Sequence, residues 1–189
     1  MDAADERSLL DGLKTGDAAA FDALYDHWRA RLFGHLVRMC GRKDVAEDLM
    51  QETWLRLVRT APQLREGTSF GPWLFTVARN LLASYRRSRL LDEERVQELW
   101  RLESDGTKAG SPFADAASSE LQGHLEEALA SLPHKYREAV LLVAVERLSP
   151  KEAASVCSLR PDAFRQRLAR GRALLDAALD RLREKENRR

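Results

Sequence analysis

Cysteine is nearly absent from this chain: only Cys40 and Cys157 occur, far apart among 189 residues. Two distant thiols inside apparent helices make poor partners for a structural disulfide and read as small buried hydrophobes. The four histidines, His27, His35, His124 and His134, are scattered, and no Cys or His pair has metal-ligand spacing. No glycine-rich phosphate loop follows a strand. Neither a metal, a cofactor nor an enzyme active site is therefore expected. No apolar run is long enough to cross a bilayer, and the first six residues lack the basic and apolar parts of a signal peptide. These absences read as a cytoplasmic protein. Excess charge of one sign is missing too: 31 basic and 30 acidic residues leave a net +1, which excludes a general polycation.

What is present is helical patterning. Hydrophobic residues make up 44% and charged residues 32%, and apolar positions recur at spacings of three and four, with no strand-like alternation. The expected fold class is all-α, in two small helical domains. The first spans residues 8–91 and the second 120–185. Residues 92–119 between them read as a linker, helical at its start and then small, polar and rich in Gly and Ser. Charge is segregated along the chain: residues 2–26 are acidic, whereas 79–89 and 160–172 are basic. Two separate DNA-facing patches would give that distribution.

The most informative stretch is 148–172, two short helices around a tight turn. Ser149, Pro150 and Glu152 form a helix start with a capping box, followed by a small apolar face of Ala153, Val156 and Cys157. The chain turns at residues 158–160, and Pro161 and Asp162 suit the first turn of a second helix. Phe164, Leu168, Gly171 and Leu175 share one side and pack inward. Asp162, Gln166, Ala169 and Arg170 point away, flanked by Arg165, Arg167 and Arg172. Guanidinium groups pair with phosphates, and Arg or Gln also make bidentate contacts to base edges. The stretch reads as a helix-turn-helix with a DNA-reading second helix, favoured by the capped two-helix pattern over a solvated helix whose arginines only keep it soluble.

Two stretches of the first domain carry further signals. In residues 44–58, Val45, Ala46, Leu49, Met50, Thr53 and Leu57 form a buried stripe, and Glu47, Asp48, Gln51, Trp54, Leu55 and Val58 lie opposite. That mixed acidic and apolar face is either a docking site for another protein or the seat of another helix of the same domain. In residues 70–89, Pro72 and Trp73 open a helix whose inner side is Leu74, Val77, Ala78, Leu81 and Tyr85. Its outer side carries Thr76, Arg79, Asn80, Ala83, Arg86 and Arg87. Basic groups beside Phe70, Trp73 and Phe75 suit single-stranded nucleic acid, with the aromatics serving as stacking platforms or as core.

These residues together resemble a family along essentially the whole chain. Phe21-Asp-Ala-Leu-Tyr25, Ala46-Glu-Asp-Leu-Met-Gln-Glu-Thr-Trp-Leu-Arg56 and Trp73-Leu-Phe-Thr-Val-Ala-Arg-Asn80 with Arg86 and Arg87 come first. Leu132-Pro133, Arg137-Glu-Ala-Val-Leu-Leu142, and Leu148-Ser149 with Glu152, Ala154, Arg167 and Arg170 follow. In this order, around one linker, they are similar to the extracytoplasmic-function (ECF) sigma factors of bacterial RNA polymerase.

The resemblance implies sigma region 2 in the first domain and region 4 in the second. It implies core polymerase as partner, through the beta prime clamp and the beta flap, promoter DNA, and a probable anti-sigma factor. By motif position, Asp48, Gln51 and Leu55 fall to polymerase binding. Thr76, Arg79, Asn80, Arg86 and Arg87 fall to the −10 element, with the 63–69 loop near an extruded base whose unstacking the site must offset. Asp162, Arg165, Gln166, Arg167, Arg170 and Arg172 fall to the −35 element.

The chain departs from the family pattern at Ser158, where Gly is frequent in the turn, at Arg160, where a capping Ser or Thr is usual, and at Ala153, where the family has a larger residue. An ordinary helix-turn-helix repressor would account for the second domain. It would leave the basic helix and the docking face of the first without a purpose, as would a purely helical adaptor.

Overall fold

The structure is a computed structural model and describes residues 3–100 and 120–186. Most of the expected linker, residues 101–119, lies outside the described residues. The fold is all-α, with no strand among the described residues. Helices α1 (Ala3–Lys14), α2 (Ala18–Cys40), α3 (Lys43–Thr60) and α4 (Phe70–Trp100) form the N-terminal unit, with a 3₁₀ turn at Ala61–Gln63. Helices α5 (Glu120–Ser131), α6 (His134–Val140), α7 (Pro150–Val156) and α8 (Pro161–Glu186) form the C-terminal one. A widened π turn, Leu141–Val145, extends α6.

Local chemistry sets the helix ends. Asp17 caps α2 by accepting the Ala19 N–H at 2.9 Å. Gly41 ends α2 at φ 75°, a left-handed conformation that glycine adopts without steric cost. α2, α3 and α4 then close on Leu24, Leu32, Leu36, Leu57, Phe70, Leu74 and Phe75, all fully buried. Each such side chain contributes about 1.5–3 kcal/mol relative to exposure. Of the three aromatics near the basic helix, Phe70 and Phe75 are thus core, and only Trp73 is half-buried.

One assignment on α3 is corrected. Trp54 belongs to the core rather than the outer face, being 4% exposed. Its ring lies 5.0 Å from Tyr25, 5.8 Å from Phe21 and 6.3 Å from Phe70. An indole at the edge of the apolar stripe is large enough to turn inward when aromatics of α2 and α4 flank it.

In the C-terminal unit the capping box forms in both directions: Ser149 N–H donates to Glu152 Oε2 at 2.8 Å, and Glu152 N–H to Ser149 Oγ at 3.3 Å. α8 crosses α6 closely at Gly171, where a Cβ would lie 3.0 Å from the Tyr136 carbonyl oxygen and from Val140 Cγ2. The turn after α7 is a left-handed helix stop. Leu159 N–H donates to Ala154 O and Ser158 N–H to Ser155 O, both at 2.9 Å, while Ser158 takes φ 54°.

A side chain in that region costs about 1–2 kcal/mol relative to its right-handed counterpart, a penalty glycine avoids. Ser158 is exposed. Ser158→Gly is therefore expected to stabilise the protein by about 1 kcal/mol, read as a higher urea midpoint at unchanged slope. An unchanged or lower midpoint would show that the serine is not strained.

The two units touch. α7 packs on α4, and α2 meets α5 and α6. Arg38 grips Glu126 with Nε at 2.9 Å and Nη2 at 2.7 Å from Oε1. Arg31 Nη2 donates to the Glu146 carbonyl at 2.6 Å. Arg79 Nε donates to Glu138 Oε1 at 2.9 Å.

Candidate nucleic-acid and protein interfaces

Three surfaces gather the residues singled out in the sequence. The first is the outer face of α3. Asp48, Gln51 and Leu55 are exposed there, and no described element covers them. Leu55 is 50% and Val58 53% exposed, unusual for large apolar side chains clustered together. Between α2 and α3 lies a groove of about 270 Å³ lined by Phe21, Tyr25, Met50, Gln51, Trp54, Leu55 and Val58. At its floor Trp54 and the aromatic pair Phe21 and Tyr25 of α2 pack against one another. Glu47 and Asp48, both exposed, lie one turn before Gln51 on α3. Among the described residues no other helix covers this face.

The second surface is α4. Asn80 and Arg87 are exposed, and Arg87 Nη2 donates to Ser84 Oγ at 3.0 Å. Thr76 Oγ1 donates back to the Pro72 carbonyl at 2.7 Å. Arg79 and Arg86 are engaged rather than free. Arg86 Nη2 donates to the Met39 carbonyl at 2.9 Å, closing the C-terminal end of α2. Burial pushes its pKa down from the usual arginine range; with so high an ordinary value it stays charged. Beside this helix a cleft of about 660 Å³ runs between Thr68, Ser69, Pro72, Trp73 and Thr76 on one wall and Ser149, Lys151, Glu152 and Ser155 of α7 on the other.

The third surface is the start of α8. Asp162, Arg165, Gln166, Arg170 and Arg172 are exposed, and Asp162 pairs with Arg165. An exposed pair of this kind is weak and readily exchanged for a phosphate. Arg167 is half-buried, with Nη1 3.9 Å from Glu138 Oε2.

Spacing did not point to Glu138 and Glu146, which are 4% and 2% exposed. Each is a carboxylate in an apolar run, and that is the only local signal it gives. Glu138 holds Arg79 and Arg167 and accepts from Cys157 Sγ at 3.5 Å. Glu146 faces Arg31 Nε at 3.5 Å and His35 Nδ1 at 3.6 Å. Burial, and then the Glu138 charge, push the Cys157 thiol up to about 12, so it stays protonated. Burial pushes Cys40 up as well. His134 is pushed down to about 4 by burial and by the neighbouring arginines Arg86, Arg137 and Arg79, so it is neutral at pH 7. Among the described residues no group of three His, Cys, Asp or Glu side chains could hold a metal ion. No described helix is long and apolar enough to cross a membrane.

The comparisons with known proteins fall on the same elements. Residues 24–90 match Sigma-70 region 2 and residues 123–175 match Sigma-70 region 4. The RNA polymerase sigma factor CarQ of Myxococcus xanthus is 34% identical over 162 residues, 86% of this chain and 90% of CarQ. The ECF sigma factor EcfG of Rhodopseudomonas palustris is 32% identical, over 90% of this chain and 87% of EcfG. SigM of Bacillus subtilis is 30% identical over 85% and 95%. Among solved structures, CnrH in complex with the cytosolic domain of CnrY superposes with a TM-score of 0.67 at 23% identity, over 93% of this chain and 97% of that one, and shares the fold. RpoE of Bartonella quintana, in complex with the anti-sigma factor NepR, also gives 0.67 at 23% identity, over 85% and 96%. The chain belongs to the ECF RNA polymerase sigma factors, which bind core polymerase and direct it to promoters.

Proposed function

We propose that residues 8–91 act as region 2 and residues 120–185 as region 4, joined by 92–119, and that the three surfaces divide the work of initiation among them. The observation that carries this reading is the pairing of an uncovered acidic and apolar groove with two basic helices on separate units. On it, Asp48, Gln51 and Leu55 dock on the beta prime clamp of core polymerase, and the C-terminal unit meets the beta flap. Thr76, Arg79, Asn80, Arg86 and Arg87 serve the −10 element. Arg86, which closes α2, acts there through helix placement and local positive charge. Asp162, Arg165, Gln166, Arg167, Arg170 and Arg172 serve the −35 element, where the exposed Arg165 and Gln166 have the donors to read base edges. The protein works in the cytoplasm, has no catalytic chemistry of its own, and uses no cofactor. Relatives in the solved complexes carry a protein partner, which supports control of this chain by an anti-sigma factor.

Reconstituted transcription with core polymerase, on the promoter upstream of its own gene, tests the reading. Wild type should give a promoter-specific transcript. Arg165→Ala should weaken −35 use by about 1–3 kcal/mol, the cost of one lost bidentate base contact, which is roughly 5- to 150-fold. Asn80→Ala should change the −10 preference while leaving polymerase binding intact. Absence of both polymerase binding and a promoter-specific transcript would overturn the assignment.

A further inference from the structure

We propose that Arg167 serves the −35 element without touching DNA. Paired with the buried carboxylate of Glu138, it sets the rotation of α8 about its own axis, so both are positioning residues for −35 recognition. The proposal rests on the assignment of α8 to the −35 element and refines it, placing Arg165, Gln166 and Arg170 at the DNA and Arg167 behind them.

Glu138 stands where a carboxylate is costly. It is 4% exposed and is followed by Ala139, Val140, Leu141 and Leu142, all buried. A carboxylate taken out of water needs a cation and hydrogen-bond donors around it. Its own unit supplies both, from the two arms of the helix-turn-helix. Cys157, the residue that ends α7, donates from Sγ to Oε2 at 3.5 Å, and Arg167 of α8 brings Nη1 to 3.9 Å from the same oxygen. Arg79, whose Nε donates to Oε1 at 2.9 Å, comes from the N-terminal unit. Arg167 is thus the cation that Glu138 finds within its own unit.

The surroundings are those of a pinned helix. Arg167 and Gly171 are four residues apart and share one ridge of α8. Gly171 meets α6 at Tyr136 and Val140, two residues before and two after Glu138. α8 is therefore held to α6 at two successive turns, by close backbone approach at one and by charge at the other. The side chain of Arg167 is 22% exposed, whereas Arg165, Gln166 and Arg170 are fully on the outer face. Bidentate contacts to base edges need their side chains held within about 10–20°. A small roll of α8 would carry all three away from the bases together. At 3.9 Å the Arg167 contact is one of charge and not a hydrogen-bonded fork.

Holoenzyme assembled with core polymerase tests the pair. It is titrated, over a salt series, against fluorescein-labelled promoter duplexes that differ only in single −35 bases. Arg167→Met leaves Glu138 buried without the cation of its own unit and should lower affinity for the matched −35 element about tenfold. Adding Glu138→Met replaces the ion pair by two apolar side chains of similar length, an exchange that buried pairs tolerate. The double variant should recover most of the loss and the wild-type ranking of −35 bases. Arg167→Lys keeps the charge and should retain most of the affinity, which a bidentate base reader would not. In all three the salt slope should match wild type, whereas loss of a phosphate contact makes it shallower by about one. The cycle subtracts what Glu138 does for Arg79, since that contact is lost in Glu138→Met and in the double variant alike.

A double variant as weak as Arg167→Met overturns the proposal, and so does a shallower slope in Arg167→Met, because Arg167 would then touch DNA itself. Circular dichroism follows the fold. Should Arg167→Met alone not fold, the double variant against wild type decides in the same way. Wild-type holoenzyme indifferent to the −35 bases would instead overturn the assignment of α8, so the two failures are distinguishable.

Discussion

Phe164→Ala is expected to destabilise the C-terminal unit by about 3–5 kcal/mol, the largest stability effect of any single substitution considered for that unit. Phe164 is fully buried in the first turn of α8, in the core that also holds Leu141, Leu142 and Val156. Its backbone N–H closes the first turn onto the Arg160 carbonyl at 3.0 Å. The ring therefore sits where α8 leaves the turn and sets how that helix stands on α6 and α7. Truncation removes the transfer energy of the ring and leaves a cavity that short helices held by a left-handed turn and a capping box fill only by shifting. Small domains have about 5–15 kcal/mol of total stability, so this loss takes a large share of the reserve. Urea denaturation followed by circular dichroism reads it, and −35 binding should fall with it because the exposed arginines of α8 lose their common orientation. A loss below about 1 kcal/mol would mean that the site collapses around the missing ring and that α8 is positioned by its other contacts.

Local chemistry made much of this fold legible. Ser149 and Glu152 announced the start of α7 because a capping box is a relation between residues three apart. Pro161 and Asp162 announced α8 because a preset φ and an acidic side chain suit a helix's first turn, and Phe164, Leu168 and Gly171 fell on the buried side that their spacing required. The left-handed stop at Ser158 is harder to read, since a serine there conceals the requirement that glycine would have advertised.

What spacing could not carry is partnership across long sequence separation. Arg79 looked like a free cation on an outer face. It meets Glu138, 59 residues later, because the C-terminal unit packs on α4 through α7. Arg86 likewise finds the carbonyl of Met39, 47 residues earlier. Periodicity gives the direction in which a side chain leaves its helix and is silent on what stands there. Trp54 fell outside its assigned face for a related reason, since a ring at a sector boundary follows its aromatic neighbours.

Leu55→Glu should abolish stable association with core polymerase and, with it, promoter-specific transcription, while leaving the fold intact. The separation of the two effects follows from position. Leu55 is half exposed at the edge of the groove on α3, whereas Leu57 and Trp54 are buried, so a glutamate there stays solvated in the free protein. Its thermal midpoint should match wild type. In the complex the same side chain would face the apolar groove walled by Tyr25, Met50 and Val58. A carboxylate buried there without a partner loses its hydration and gains nothing in return, and it adds to the negative charge of Glu47 and Asp48 on the same helix. A loss of at least about 2 kcal/mol, the scale of an interface hot spot, is a thirtyfold weaker complex. Titration of fluorescent core polymerase with the variant measures it, and nonspecific duplex binding serves as the control because Leu55 belongs to neither DNA surface. Leu55→Met, which keeps an apolar side chain of similar volume, should restore most of the affinity. Wild-type polymerase affinity in the glutamate variant would remove the groove from the interface and leave the exposed Leu55 and Val58 in need of another partner.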